Sequence, residues 1–176
     1  MISKQYRRML EKMHADADMK WGNDGAHHLD AVLTLIRDHA AKTLLDFGCG
    51  RSKLSKALKN YGSPVVCTDY DPGRPKKAKL PEGQFDLVTC TDVLEHIEPE
   101  HLDEVLRTIK SKTLKAAYFV VDCVPANTLL PDGRNAHLTV QPGMWWQLQL
   151  EHVFSDGWIV FNDISPKKAT FRCIRT

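Results

Sequence analysis

Apolar positions recur along the chain at two alternating spacings, and the alternation predicts most of its elements. Tyr6, Met9, Leu10 and Met13 form a helical stripe in a charged N-terminal stretch, which reads as a helix within the first 20 residues, laid on the rest of the fold. "WGNDG" at 21–25 breaks it, because two glycines flank an Asn-Asp pair. Leu29, Val32, Leu33 and Ile36 then fall at i, i+3, i+4 and i+7, the buried face of an amphipathic helix. "TLLDFG" (43–48) is a short apolar run ending in glycine, a buried strand. Leu54, Ala57, Leu58 and Tyr61 return to helical spacing, "PVVCTD" (64–69) is the next strand, and "FDLVTC" (85–90) a third. Leu102, Val105, Leu106 and Ile109 predict another helix after Pro99. "AAYFVVDCV" (116–124), the most apolar strand, belongs at the centre of a sheet. A loop-like stretch (125–143), a short helix at about 143–152 and two strands (157–164 and 168–175) joined by "SPK" close the chain.

Strands and helices in this order make βαβ units, hence an α/β, doubly wound, mainly parallel sheet with helices on both faces. The last two strands add an antiparallel hairpin. Size and the lack of repeats or linkers predict one domain over 1–176, with 1–25 a helical extension and 40–176 the core. A formal net charge of +2 sets up no field that recruits nucleic acid or a membrane. There is no apolar run of about 18 residues, so no membrane partner is expected. Cys49, Cys67, Cys90, Cys123 and Cys173 show no CxxC pair. Five thiols in apolar runs fit reduced cysteines in the cytoplasm better than a disulfide framework.

Three segments carry chemistry. In "LLDFGCG" (44–50) a glycine-rich turn between strand and helix lets a ligand approach the backbone, at the carboxyl end of a strand where open α/β sheets bind ligands. The turn has neither the GxGxxG spacing of a dinucleotide fold nor the GK[ST] ending of a P-loop. Asp69 follows at the end of the next strand, where an acid can accept both hydroxyls of a ribose; the bland reading is a turn cap with Asp71 and Pro72. "FDLVTCTDVLEHI" (85–97) then gathers Asp92, Glu95, His96 and, just beyond it, Glu98 at a third strand end, with helix capping as the alternative.

Together these segments resemble class I S-adenosylmethionine-dependent methyltransferases of the ubiquinone-biosynthesis-like branch, over about 40–176. The resemblance implies a Rossmann-like fold and S-adenosyl-L-methionine as cofactor. It implies Asp46, Gly48, Cys49 and Gly50 along its methionine and ribose side, Asp69 on the ribose hydroxyls, Tyr70 against the adenine, and Asp92 and Val93 closing the pocket. The chain departs from the family between Asp71 and Phe85. Only 13 residues intervene there, proline-broken and basic, so the third strand is expected to be shortened or missing.

The acceptor should meet the segment after the central strand. Arg134, Asn135, Trp145 and Trp146 are its candidates there, with one Trp, either of the two, expected to serve packing instead. His96, His137 and Glu95 are the candidate catalytic groups, since a hydroxyl acceptor has a proton to lose. No nucleobase-methylating motif follows the strand at 85–90. A small-molecule or glycan acceptor without a metal is the main expectation. One alternative is RNA ribose methylation, in which Asp92, Glu95, His96 and His137 hold a divalent ion, as "DVLEHIEP" and "RNAHL" resemble small-RNA 3′-terminal ribose methyltransferases. There the basic stretch Arg74–Lys79 would meet phosphates. The other alternative is a cofactor-binding domain without turnover. Oligomeric state is not legible.

Overall fold

The computed structural model describes residues 2–16, 22 and 24–176, with Asp24 described by its backbone alone. Residues 17–20, Trp21 and Asn23 lie outside the described residues, and with them part of the predicted 21–25 break. Helix α1 (Lys4–Ala15) is capped by Ser3, whose hydroxyl accepts from the Tyr6 N–H. Helix α2 (Leu29–Asp38), strand β1 (Thr43–Phe47), helix α3 (Lys53–Tyr61) and strand β2 (Val66–Tyr70) follow. Then come strand β3 (Phe85–Thr91), helix α4 (Leu102–Lys112), strand β4 (Thr113–Asp122), helix α5 (Gly143–Val153), and strands β5 (Trp158–Ile164) and β6 (Lys168–Arg175).

The six strands form one sheet in the order β2-β1-β3-β4-β6-β5. β2, β1, β3 and β4 are parallel, and β6 pairs antiparallel with both β4 and β5. This is the doubly wound, mainly parallel Rossmann-like sheet with a closing hairpin. The apolar strand at 113–122 is interior, between β3 and β6. Residues 71–84 are all described and hold only a 3-10 turn, Pro75–Lys77, so the third strand is missing and β2 is left as an edge. Three prolines in that stretch remove the backbone donors a strand would need.

Two apolar clusters cover the faces of the sheet. One gathers Tyr6, Leu10 and Met13 of α1 with Val105 and Ile109 of α4, Trp146 and Leu150 of α5, and strand residues such as Phe119 and Phe171. The other gathers Val32 and Ile36 of α2 with Leu54 and Leu58 of α3. Among the described residues no helix is long and apolar enough to cross a membrane, and all five cysteines are free.

Candidate functional site

A cavity of about 550 Å³ opens at the carboxyl ends of β1, β3 and β4, beneath α1. Its floor is the glycine turn after β1. Gly48 and Gly50 both take positive φ, 83° and 49°. A Cβ on Gly48 would collide with the Val93 side chain, and one on Gly50 would stand 2.7 Å from Gly22 Cα. The turn is tied to β2 by the N–H groups of Gly48 and Cys49, which donate to the Tyr70 carbonyl at 2.8 and 3.0 Å. Asp46, Gly48, Cys49, Gly50, Asp92 and Val93 all line the cavity.

Asp69 and Tyr70 do not. Alternation along β2 turns Tyr70 into the core, 1% exposed, with its ring centroid 4.9 Å from that of Phe47. Asp69 is held from the side by Lys77 Nζ at 2.6 Å and Ser55 Oγ at 3.3 Å. Lys77, which also donates to the Ser52 hydroxyl, comes from the short basic turn that replaces the missing strand. Asp71 lines the cavity instead. It accepts from the N–H groups of Gly50 (2.9 Å) and Gly73 (2.8 Å), with His14 Nε2 3.6 Å away.

On the other side, Asp92 sits at φ 55°, a strained conformation for a residue with a side chain. One carboxylate oxygen is 3.0 Å from His28 Nε2 and the other 2.8 Å from Lys168 Nζ, which also reaches Asp122 at 3.1 Å. Burial works to raise the Asp92 carboxyl, but the hydrogen bonds from His28 and Lys168 outweigh it and hold the group below the usual range. Burial likewise opposes the charge on Lys168, and its two carboxylate partners hold the ammonium above its ordinary value. His28, Lys168, Asp122 and Asp71 were missed in the sequence. His28 and Lys168 stand 64 and 76 residues from the Asp92 they meet, and no local pattern announces such a contact.

Glu95, His96 and His137 lie together in the cavity wall. Glu95 is fully buried; its Oε1 accepts from the Asp122 N–H at 3.0 Å, and its Oε2 has no hydrogen-bond partner among the described residues. Burial pushes its carboxyl up to about 8. Nδ1 of His96 lies 2.8 Å from the Ala136 carbonyl and Nδ1 of His137 2.6 Å from that of Val124. A carbonyl only accepts, so each Nδ1 carries the proton and each Nε2 is the basic nitrogen. The rings meet edge to face, 4.8 Å between centroids. Burial lowers His96 to about 4, so it is neutral at physiological pH. Glu95, His96 and His137 each offer one ligand atom, all within 4.8 Å of one another, and Asp92, Glu95 and Asp122 form a second such group. Two imidazoles and a buried carboxylate with an orphaned oxygen fit a divalent ion of the first transition series. Asp92, both oxygens engaged, is not in the first group.

Of the four acceptor candidates, none lines the cavity. Arg134 is exposed and paired with Asp132 at 2.8 Å. The Asn135 side chain bridges the N–H and carbonyl of Ala126, shaping the loop that carries His137. Trp146 is fully buried in the core, and Trp145 packs edge-on against it, facing a separate depression beside Leu102 and Leu138. Neighbouring positions on a helix point about 100° apart, so the two rings cannot share a pocket.

A sheet of this order, with a glycine turn opening onto a cavity at its parallel strand ends, is the architecture of the class I S-adenosylmethionine-dependent methyltransferases. The chain belongs to the methyltransferase-domain family, which residues 18–162 match. It is 29% identical to the ubiquinone biosynthesis O-methyltransferase of Xanthomonas oryzae pv. oryzae, in a match covering 50% of this chain and 49% of that protein. The chain therefore spans about half the length of the relatives it matches. The structure is similar to Burkholderia thailandensis 1,6-didemethyltoxoflavin-N1-methyltransferase, crystallised with 1,6-didemethyltoxoflavin and S-adenosylhomocysteine. That likeness has a TM-score of 0.68 at 14% identity, over 98% of this chain and 89% of that one. It is also similar to Synechocystis magnesium protoporphyrin IX methyltransferase with bound S-adenosylmethionine, with a TM-score of 0.57 at 14% identity, over 99% and 92% of the two chains.

Proposed function

We propose that this protein transfers the methyl group of S-adenosylmethionine to a hydroxyl of a small molecule. The observation that carries the reading is the single cavity that joins the Gly48–Gly50 turn to Glu95, His96 and His137. The relatives named as O-methyltransferases and the neighbours crystallised with the cofactor or its product support it.

Asp46 and the Gly48–Gly50 turn wall the methionine and ribose of the cofactor, with Val93 closing the pocket. Of the two acids at the end of β2, Asp71 lines the cavity, while Lys77 and Ser55 hold one oxygen of Asp69 and its other oxygen has no partner among the described residues; we assign the ribose hydroxyls to Asp71, with Asp69 the competing acid. The sulfonium methyl is already activated, and the protein's main task is to align donor and nucleophile. A hydroxyl must shed its proton as it attacks. His137 is the base best placed to take it at Nε2, since the Val124 carbonyl fixes its tautomer. Burial holds His96 near pKa 4, so it stays neutral, and its ring supports that of His137 edge to face. When bound, the cofactor would supply the methyl and keep the bond electrons on sulfur, and His137 would take the proton that the acceptor oxygen gives up.

A second reading follows from the Glu95, His96 and His137 group. A divalent ion held there would lower the pKa of a coordinated acceptor hydroxyl. One experiment tests both. S-Adenosylhomocysteine is titrated calorimetrically into wild type, Asp71→Asn and Asp69→Asn, and hydroxyl acceptors are then screened with and without manganese. Micromolar binding, weakened more by Asp71→Asn than by Asp69→Asn, supports the assignment; turnover only with manganese favours the metal. Well-folded protein that does not bind S-adenosylhomocysteine would sink the reading.

A further inference from the structure

Helix α1 does more than cover the core. Ile2, Tyr6, Leu10 and His14 are spaced four apart and all line the cavity. Both ends of this row are anchored. The N–H and Oγ of Ser3 donate to the two carboxylate oxygens of Glu98, each at 2.7 Å, which seats the first turn beside the segment carrying Glu95 and His96. His14 stands over Asp71 at the end of β2. The row thus runs from the catalytic cluster to the ribose acid, and its first two members, Ile2 and Tyr6, belong to the acceptor end.

Tyr6 is fully buried, and its hydroxyl has no hydrogen-bond partner among the described residues. A buried, unpaired hydroxyl costs free energy that native structures do not normally retain without a use. Among the described residues lining the cavity, His14 Nδ1 and Glu95 Oε2 are likewise buried without a partner. The charge of the cavity adds an independent constraint. Five carboxyl groups line it, on Asp46, Asp71, Asp92, Glu95 and Asp122. Lys168 is the one Lys or Arg among the described lining residues, and Asp92 and Asp122 already pair with it. A carboxylate or phosphate entering beside Tyr6 would lose its hydration and gain one neutral donor, while the one ammonium among the described lining residues is already shared by Asp92 and Asp122. A neutral hydroxyl would accept from Tyr6 Oη and keep its own proton for His137. Ile2, Ile97 and Ala126 complete an apolar wall for the body of such a molecule.

We propose that Tyr6 is an acceptor-binding residue, and that this end of the cavity selects uncharged hydroxyl compounds with an apolar body over carboxylates and phosphate esters. The proposal rests on the methyltransferase reading above, naming its acceptor class and the helix that selects it.

The test is calorimetric binding of phenol, toluene, benzoate and phenyl phosphate to S-adenosylhomocysteine-loaded wild type and Tyr6→Phe. S-Adenosylhomocysteine is titrated first, so that failure of the cofactor reading shows separately. Wild type is expected to bind phenol at least about tenfold more tightly than benzoate or phenyl phosphate, and several-fold more tightly than toluene. Tyr6→Phe should weaken phenol about five- to tenfold, leave toluene and S-adenosylhomocysteine unchanged, and melt no lower than wild type. A merely structural role for Tyr6 would weaken phenol and toluene alike. Anions that match phenol, a variant that binds phenol as well as wild type, or loaded protein that binds none of the four probes would each overturn the proposal.

Discussion

Replacing Glu95 by Gln should remove a pH dependence of stability whose sign and size follow from one buried carboxyl. Burial pushes the folded-state pKa of Glu95 up to about 8 from an ordinary 4.5. A raised folded pKa means that the folded protein binds the proton more tightly than the unfolded chain. The stabilisation is therefore complete below the unfolded value and is lost as pH rises through the folded one. Between about pH 5.5 and about pH 8.5 the linkage integral gives a loss of roughly 3 kcal/mol, an upper bound because other buried groups titrate in the same window. Gln keeps the carbonyl that accepts from the Asp122 N–H and cannot ionise. The assay is urea denaturation of wild type and Glu95→Gln at both pH values, taking the difference in unfolding free energy. Wild type should lose stability relative to the variant by about 1–3 kcal/mol on going to high pH. If the difference between the two proteins changes by less than about 0.5 kcal/mol, Glu95 titrates normally and the reasoning fails. Manganese makes the same experiment sharper. An ion bound at Glu95, His96 and His137 requires the ionised carboxylate, so it should restore stability at high pH in wild type alone.

Two further substitutions separate packing from charge. Trp146→Ala should cost about 3–5 kcal/mol in urea unfolding, because it empties a fully buried site, whereas Trp145→Ala should cost less than half as much; equal losses would contradict the packing of α5. Lys168→Met leaves Asp92 and Asp122 without their shared cation and should cost about 1 kcal/mol near neutral pH, the half-exposed ammonium being screened by water. The loss should shrink at acid pH as the Asp92 carboxylate takes up a proton, and a loss independent of pH would assign it to packing instead.

The sheet was legible because its signal is periodic and local. The 43–48 run, the 54–61 stripe and the proline-broken stretch before Phe85 each constrain the backbone without help from distant residues, and even the missing strand could be read from the prolines. The site was legible only where the chain itself forms it, at Gly48–Gly50 and at the adjacent pair Glu95 and His96. Where long-range packing decides, the reading lost its hold. Family position points Asp69 and Tyr70 at the cofactor, but strand alternation sends Tyr70 into the core, and Lys77 takes Asp69 from the side. That Lys77 lies in the turn left by the missing strand, so the same shortening that was readable in the sequence also brings Asp69 a partner that was not. Helix α1 carries the same lesson in its own pattern. Its residues satisfy two rows at once: Met9 and Met13 pack in the core, while Tyr6 and Leu10, core members too, line the cavity together with His14 and with Ile2 just before the helix. Reading Tyr6 and Leu10 as members of the core row alone hid the second one. The anchoring of Ser3 on Glu98, 95 residues away, holds that row against the cavity.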